Sequence, residues 1–423
     1  MQYQTVHVQK RLVVLMFVLL LVAAVMPRTF VKAGGRKEVK VRTGIEVLAS
    51  RDFDIIAGKR VGLITNHTGC DSTGKSSIDI LAESDKIKLV AIFAPEHGVR
   101  GEAEAGEKVS SDKDRMTGLP IHSLYGKTLK PTGEMLNGID VLVYDIQDVG
   151  VRFYTYISTM AYAMEAAAEN GLEFVVLDRP NPIGGVAVEG PILKKEFSSF
   201  VGLYPIPVRY GMTIGELARL FNEEFGIRAD LKVVKMQGWR RDMWFDDTGL
   251  PWVKPSPNIP TLTSATVYPG TCFIEGFVNV SEGRGTDHPF EWIGAPWING
   301  RALAQGLEAL GLPGVTFRAC EFTPKSSKNA GKLCAGIEVS VKDRSVFEPV
   351  ATGLYIAEAI LDKYPAQATW AYKGSHFDRL MGTDKVRHLL EGGEPASNMI
   401  ESWVPEINEF LHVREKYLLY SLP

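Results

Sequence analysis

Residues 140–182 read DVLVYDIQDVGVRFYTYISTMAYAMEAAAENGLEFVVLDRPNP and contain a complete strand–helix–strand unit. Asp140–Asp145 and Glu173–Leu177 are apolar runs of strand length, which is typical of strands buried on both faces of a sheet. Between them, Ser158–Asn170 has the composition of a helix, and Gly171 follows it in the position where helices often end. This order predicts two parallel strands joined by a helix.

The same alternation extends toward the N-terminus. Two more apolar runs, Arg60–Thr65 and Leu89–Phe93, precede this unit, and the helix-like segment Ser76–Glu83 lies between them. Strands that alternate with helices form parallel sheets whose faces are covered by those helices. We therefore predict an α/β fold, with a Rossmann-like doubly wound parallel sheet domain over residues 41–200.

Residues 201–423 show a different pattern, in which strands and helices do not alternate regularly. Thr213–Phe225 is typical of a helix that begins with a capping box, because Thr213 is followed by Glu216 three residues later. The other predicted strands are Leu231–Met236, Cys272–Val280, Val315–Phe322 and Gly336–Val341, and the other predicted helices are Val346–Lys363 and Asn398–Leu411. This mixture predicts a smaller α+β C-terminal domain, with the active site in the cleft between the two domains.

The mean composition is that of an ordinary soluble protein. Of the 423 residues, 45% are hydrophobic and 23% are charged, and the formal net charge is -3. These values exclude a collagen, a mainly disordered chain, a polytopic membrane protein and a strongly basic nucleic-acid-binding protein. We therefore expect no nucleic-acid partner.

The N-terminal segment departs from this average. Leu12–Met26 is an uninterrupted apolar run, shorter than the roughly 20 residues that a membrane-spanning helix needs, and two basic residues precede it. Val31 and Ala33 are small residues spaced as in a cleavage site, so we predict a signal peptide over residues 1–33 and export to the periplasm or the cell exterior. An uncleaved anchor is the alternative, and the chain would meet a membrane only through this segment.

The four cysteines are Cys70, Cys272, Cys320 and Cys334, and none of them forms a CxxC pair. No metal site is therefore predicted. Export permits disulfides, and Cys320 and Cys334 flank a segment that resembles a hairpin. A disulfide between these two and buried free thiols are both open alternatives.

Polar side chains follow all four predicted strands of the first domain. In an open parallel sheet, ligands bind beyond the carboxyl ends of the strands, so these side chains predict one shared site. The candidates are Asn66 and His67 after the first strand, Glu96 and His97 after the second, Asp145, Gln147, Arg152 and Tyr154 at and after the third, and Asp178 and Arg179 after the fourth.

Glu96 is the best candidate for a general acid. It lies at the end of an apolar strand, between Pro95 and His97. Partial burial there would keep its carboxyl group protonated at neutral pH, as a general acid requires. The alternative is a surface glutamate in a tight turn. The neighbouring His97 would either orient Glu96, bind substrate or have only a structural role.

The charged residues at the third and fourth strand ends have two interpretations. Asp145 and Asp178 would either line the crevice or cap the following helices. Arg152 and Arg179 would either clamp a substrate carboxylate with two hydrogen bonds or form buried ion pairs with those aspartates.

A further candidate loop, Ser281–Thr286, lies in the second domain and reads SEGRGT. Its two glycines allow the backbone to approach a ligand closely, while Glu282 and Arg284 supply a carboxylate and a cation. If the loop faces the crevice, Glu282 provides the second carboxylate that is typical of glycoside hydrolysis. The alternative is a sharp turn with solvated charges.

One motif indicates a different chemistry. Gly69–Ser76, GCDSTGKS, matches the phosphate-binding pattern GxxxxGK[ST] between a strand and a helix. A P-loop nucleotidase is therefore an alternative. Export would place such a protein where ATP is scarce, and a P-loop leaves the polar residues at the other strand ends unexplained.

Six segments in this order resemble the exo-acting β-N-acetylmuramidases, a family formerly described as a domain of unknown function. The resemblance runs from about Val41 to the C-terminus. The segments are TNHTG (Thr65–Gly69), FAPEHGVRG (Phe93–Gly101), DIQDVGVRFYTYI (Asp145–Ile157), DRPNP (Asp178–Pro182), PSPNIPT (Pro255–Thr261) and SEGRGT (Ser281–Thr286).

The resemblance implies a glycoside hydrolase that releases terminal N-acetylmuramic acid from the non-reducing ends of peptidoglycan fragments, namely muropeptides or disaccharides. It implies no cofactor, a Rossmann-like domain joined to a smaller one, and Glu96 as the catalytic glutamate. The sugar's lactyl carboxylate would suit Arg152, Arg179 or Arg284 as a partner. The alternative in this context is a cell-wall protein that binds sugar without turnover. The other residues that the resemblance places at the site are Asn66, His97, Arg152, Tyr154, Glu282 and Arg284.

Overall fold

The computed structural model describes residues 41–96, 98–99 and 113–422. The predicted signal peptide, residues 1–33, and the candidate His97 lie outside these ranges. Within them, no helix combines the length and the apolar character needed to cross a membrane.

The first part of the chain forms a six-stranded sheet in which all neighbouring strands are parallel. Its strands are β1 Arg60–Thr65, β2 Lys88–Ala94, β3 Ile121–Ser123, β4 Val141–Asp145, β5 Glu173–Leu177 and β6 Asp230–Val234. Their order in the sheet is β3-β2-β1-β4-β5-β6, which is the order of Rossmann folds. The doubly wound α/β prediction is confirmed, and the sheet extends past residue 200 to include β6.

Helices cover both faces of this sheet because alternate strand residues point to opposite faces. Val141 and Val143 pack in one core together with α1 Gly44–Ser50 and α2 Ser77–Ala82. Leu142 and Tyr144 pack in a second core with the helices α3 Tyr156–Glu169 and α4 Ile214–Glu224. The capping box predicted for the latter is present between Thr213 and Glu216.

The second part of the chain has a three-stranded antiparallel sheet of order β7-β9-β8, which confirms the smaller α+β region. Its strands are β7 Trp292–Ala295, β8 Val315–Phe322 and β9 Cys334–Val341. Its helices are α5 Leu262–Thr271, α6 Gly300–Glu308, α7 Pro349–Lys363, α8 Ser375–Met381, α9 Lys385–Glu391, α10 Ala396–Ser402 and α11 Val404–Glu415. Short 3₁₀ helices are Lys195–Phe197, Phe245–Thr248, Cys272–Gly276 and Ala371–Gly374.

Two sequence-based expectations for this part are wrong. The predicted strand Cys272–Val280 begins instead with the 3₁₀ helix Cys272–Gly276, which continues directly from α5. Cys272, Phe273 and Ile274 are all buried, and a continuous buried apolar run has no periodicity that separates a strand from a helix. The single predicted helix Asn398–Leu411 is two helices, α10 and α11, that meet at Trp403.

The four cysteines are free thiols. In the hairpin of β8 and β9, Cys320 lies opposite Gly336, whereas Cys334 lies opposite Phe322. The two thiols are therefore not opposite each other in the hairpin. Of the two alternatives for this pair, the structure has the free thiols.

A close contact between α5 and α7 fixes the entry to the 3₁₀ helix Cys272–Gly276. Gly270 of α5 lies so close to Pro349 and Gly353 of α7 that a Cβ atom added to it would overlap the Pro349 carbonyl oxygen. Only glycine allows this separation of the two backbones. The position of Glu275, one turn further on, depends on this contact.

We expect Gly270→Ala to lower the free energy of unfolding by at least about 2 kcal/mol, because backbone atoms must move to admit the methyl group. Urea denaturation measures the effect. Gly306→Ala is the matched control, because its methyl group would meet only the flexible end of the Lys363 side chain. Alanine favours helix by up to about 1 kcal/mol there, so equal losses in both variants would contradict the role of the contact.

Candidate active site

A cavity of about 370 Å³ opens beyond the carboxyl ends of β2, β3 and β4. Both parts of the chain contribute to its wall. The lining residues are Glu96, Tyr125, Phe153, Tyr154, Thr155, Tyr156, Phe200, Val201, Ser256, Asn258, Ile259, Tyr268, Cys272, Glu275, Arg284, Phe290, His376 and Leu380. Three of the sequence-predicted site residues, Glu96, Tyr154 and Arg284, therefore line the same cavity.

Glu96 lies in the part of the wall that the parallel sheet supplies. It follows β2 directly and is half-buried. Thr155, at the start of α3, donates a hydrogen bond from Oγ1 to Glu96 Oε2 over 2.9 Å. Burial and the nearby charge of Glu96 raise the pKa of Tyr125, so this phenol stays protonated. The carboxylate thus faces the cavity between two hydroxyl groups.

Aromatic side chains form the wall next to Glu96. The rings of Tyr156 and Tyr154 are 4.9 Å apart, and Tyr154 contacts the ring of Tyr268 at 6.0 Å. Tyr268 in turn packs edge-on against Phe290 at 4.7 Å. We call this row of four rings the aromatic floor. Neighbouring rings stand at 79° to 88° to each other, and together they give this side of the cavity an apolar surface with a few hydroxyl groups, which suits a sugar ring.

A charged cluster lines the cavity where the aromatic floor ends at Phe290. One carboxylate oxygen of Glu275 pairs with Arg284 Nη2, and the other lies 3.3 Å from His376 Nε2. Burial would raise the pKa of Glu275, but the charge of Arg284 and the hydrogen bond with His376 outweigh it and lower the pKa to about 2. Glu275 is therefore ionised, and the guanidinium of Arg284 lies over the Phe290 ring at 5.2 Å.

Glu282, predicted as a second carboxylate of the site, does not line the cavity. It is 2% exposed and lies behind Arg284, with Oε1 3.4 Å from Arg284 Nε and Oε2 3.1 Å from Lys328 Nζ. The second carboxylate of the cavity is Glu275, which was not predicted as a site residue because it lies within the segment Cys272–Val280 that was expected to be a strand. A single charge inside the apolar run CFIEGF was the available signal.

Asp145 and Arg179 form a buried ion pair rather than a substrate clamp. Arg179 Nε and Nη2 lie 2.5 and 2.9 Å from the Asp145 carboxylate, and Ser77 donates a hydrogen bond to the same group. Arg179 also donates to the Cys70 carbonyl over 2.8 Å. This pair lies between β1 and β4, where the strand order reverses, and the adjoining space is only about 20 Å³.

Asp178 serves as the cap of α4 instead of lining the crevice. It accepts hydrogen bonds from the Gly215 amide and the Thr213 hydroxyl, each over 2.8 Å, and from the Tyr420 hydroxyl over 2.6 Å. Burial raises its pKa to about 7. The capping alternative for Asp178 is the one that the structure has.

Arg152 and Gln147 are likewise turned into the protein. Arg152 is fully buried and donates to the carbonyls of Pro191, Ile206 and Leu380 over 2.7 to 2.8 Å. Gln147 Nε2 donates to the Asp148 and Pro180 carbonyls. Since these donors already have protein partners, neither side chain is placed to meet a ligand in the cavity.

Asn66 and His67 shape the loop after β1 and lie outside the cavity wall. The Asn66 side-chain oxygen accepts hydrogen bonds from the Thr68 amide and hydroxyl. His67 Nε2 lies 2.6 Å from the Lys254 carbonyl, at the start of the loop that brings Ser256 and Asn258 to the cavity. His67 therefore positions a lining loop.

The Walker-like segment is not arranged to bind phosphate. The backbone amides of Thr73 and Lys75 donate to the Asp71 carboxylate over 2.8 and 2.9 Å, and Lys75 Nζ forms an ion pair with Glu83 at 2.5 Å. A P-loop needs these amides and this ammonium for the nucleotide. The motif is a capped turn before a short helix.

We expect Asp145→Asn to lower the free energy of unfolding by about 3 to 5 kcal/mol, because it leaves the Arg179 charge buried without its partner. Urea denaturation at neutral pH measures this loss. Asp140→Asn is the control, since Asp140 pairs with Arg60 on the surface, where solvent screens the interaction. A loss in Asp145→Asn as small as in the control would show that the ion pair is not a determinant of stability.

Comparison with known proteins identifies the family. Residues 61–263 match the family model of the exo-β-N-acetylmuramidase NamZ N-terminal region, and residues 266–420 match its C-terminal region. The chain is 57% identical over 384 residues to the peptidoglycan β-N-acetylmuramidase NamZ of Bacillus subtilis strain 168, an alignment that covers 91% of this chain and 92% of that protein.

Two crystal structures of DUF1343 family proteins from Bacteroides fragilis NCTC 9343 have the same fold. One has a TM-score of 0.86 and 42% identity and covers 90% of this chain and 99% of its own. The other has a TM-score of 0.73 and 33% identity and covers 91% of this chain and 100% of its own. On its sequence and its fold, the chain belongs to the exo-β-N-acetylmuramidase NamZ family.

Proposed function

We propose that this protein is an exo-acting glycoside hydrolase that releases terminal β-1,4-linked N-acetylmuramic acid from the non-reducing ends of peptidoglycan fragments. Family membership over most of the chain is the observation that carries this proposal. The cavity supports it, because about 370 Å³ is near the lower end of small-ligand pockets and suits the end of a glycan rather than a long segment.

Glu96 is the general acid in this proposal. Cleavage of a glycosidic bond requires a proton on the leaving oxygen while positive charge develops at the anomeric carbon. Glu96 faces the cavity beside the aromatic floor, where a sugar ring would lie. The Thr155 hydroxyl donates to its Oε2 and holds the carboxyl group at the cavity wall.

We expect Glu96→Gln to lower kcat on a chromogenic N-acetylmuramide at least about 100-fold, because general acids contribute about 10² to 10⁴ to the rate. Release of the chromophore measures this. Circular dichroism checks that the fold is intact. The control is Lys75→Ala, which removes an exposed cation of the Walker-like segment and should leave turnover unchanged.

Three other results would contradict parts of the proposed function. Normal turnover by Glu96→Gln would reject Glu96 as the acid. Hydrolysis of ATP that is lost in Lys75→Ala but kept in Glu96→Gln would favour a nucleotidase. A wild-type protein that binds muropeptides without releasing sugar would be a binding protein, and the enzymatic proposal would fail.

Export of the protein is the second element of this proposal. A peptidoglycan substrate lies outside the cytoplasm, and the apolar run Leu12–Met26 followed by Val31 and Ala33 has the pattern of a signal peptide. Its removal deletes four basic residues and changes the formal net charge from -3 to -7.

We expect the secreted form to begin at Gly34, because Ala33 completes the cleavage pattern. Mass spectrometry of the protein recovered outside the cytoplasm measures its N-terminus. Replacing Ala33 with a bulky residue should block cleavage and leave the longer form at the membrane. Unprocessed protein confined to the cytoplasm would contradict export.

A further inference from the structure

We propose that Arg284 and His376, both held by Glu275, bind the lactyl carboxylate of N-acetylmuramic acid and select this sugar over N-acetylglucosamine. The inference rests on the proposed function, since it assigns a part of the substrate to a part of the same cavity. The lactyl group is the feature that distinguishes the two sugars, and its carboxylate calls for a cationic partner.

Of the three arginines that the sequence offered as partners of this carboxylate, only Arg284 lines the cavity. The guanidinium of Arg152 donates to three backbone carbonyls, and that of Arg179 is used by Asp145 and the Cys70 carbonyl. An arginine without exposed donors does not bind substrate. Arg284, by contrast, retains a side-chain exposure of 25%.

The contacts of Arg284 orient it without using all its donors. Its Nη2 pairs with Glu275, its Nε lies 3.4 Å from Glu282, and its face lies over Phe290. Its Nη1 makes no hydrogen bond to any of the residues that the structure describes. A guanidinium fixed on one edge and open on the other suits a carboxylate, which it recognises by geometry as well as charge.

His376 extends this recognition surface. Glu275 holds Arg284 with one carboxylate oxygen and His376 Nε2 with the other, at 3.3 Å, so one glutamate sets the spacing of two donors. His376 itself lines the cavity and is 28% exposed. Glu275 is therefore a positioning residue for both side chains.

The charge of the cluster permits an additional anion. Glu275 and Glu282 are balanced by Arg284 and Lys328, and Lys328 lies against Glu282, outside the cavity wall. A cluster that is neutral before His376 is counted does not repel a carboxylate.

The position of the cluster also fits the substrate. The row of rings from Tyr156 to Phe290 runs from the neighbourhood of Glu96 to Arg284. The lactyl group is carried on a ring carbon two positions from the anomeric carbon. Since Glu96 and Arg284 line one cavity, the proposal places the lactyl carboxylate at Arg284 and the anomeric carbon on the side of Glu96.

The test compares wild type with Arg284→Gln on the 4-nitrophenyl glycosides of N-acetylmuramic acid, its lactyl methyl ester and N-acetylglucosamine. We expect kcat/KM for the free acid to fall about 30- to 100-fold, in line with the loss of a charge-assisted hydrogen-bond pair. The values for the ester and for N-acetylglucosamine should change less than about threefold. Arg284→Lys should recover part of the preference, since it restores the charge without the fork.

Lys328→Gln is the matched control, because it removes one positive charge from the same cluster at a residue outside the cavity wall. It should keep the wild-type preference for the free acid. Where glucosaminide turnover is too slow to measure, calorimetric titration of the two free sugars into Glu96→Gln, with and without Arg284→Gln, measures the preference as a ratio of Kd values instead.

An equal loss on all three substrates would overturn the proposal, because Arg284 would then only support the cavity. Equal loss of preference in Lys328→Gln would also overturn it, since the effect would come from the net charge of the cluster. A wild-type enzyme that releases no sugar from any substrate would instead contradict the proposed function.

Discussion

The buried ion pair between Asp145 and Arg179 determines where this fold has room for a ligand. In a sheet of this order, the reversal between β1 and β4 is the usual ligand crevice. Here the carboxylate at the end of β4 and the arginine after β5 occupy it, and Ser77 and the Cys70 carbonyl complete their hydrogen bonds. The cavity consequently opens on the β2 and β3 side, where Glu96 and Tyr125 follow their strands.

The second part of the chain supplies what the sheet lacks. The close contact of Gly270 with α7 sets the end of α5, and the turn that follows carries Glu275 into the cavity wall. The charge of Arg284 and the hydrogen bond with His376 then keep this carboxylate ionised despite its burial. The proposed catalytic group and the proposed recognition groups thus lie on different parts of one wall, joined by the aromatic floor.

The fold was largely predictable because buried parallel strands and capped helices leave strong local patterns. VLVYD and EFVVL are β4 and β5, and Thr213 with Glu216 marks the start of α4. The site was predictable only in part, since polar residues at strand ends look alike whether they face a cavity or each other. Glu96 and Arg284 reach the cavity, whereas Arg152 and Arg179 are enclosed by long-range contacts. Glu275 and His376 are in contact although they are 101 residues apart in the sequence, and a local sequence pattern does not predict such a contact.

The apolar core beneath the cavity has a consequence for how the protein can evolve. Phe93 and Tyr144 of the parallel sheet belong to the same continuous core as Ile293 and Ile337 of the antiparallel sheet. Because the two parts share one core, neither part is expected to fold when it is fused to an unrelated protein without the other. We therefore expect such a protein to evolve new specificities by substitutions in its cavity wall. Exchange of either part for a domain of another protein is not expected.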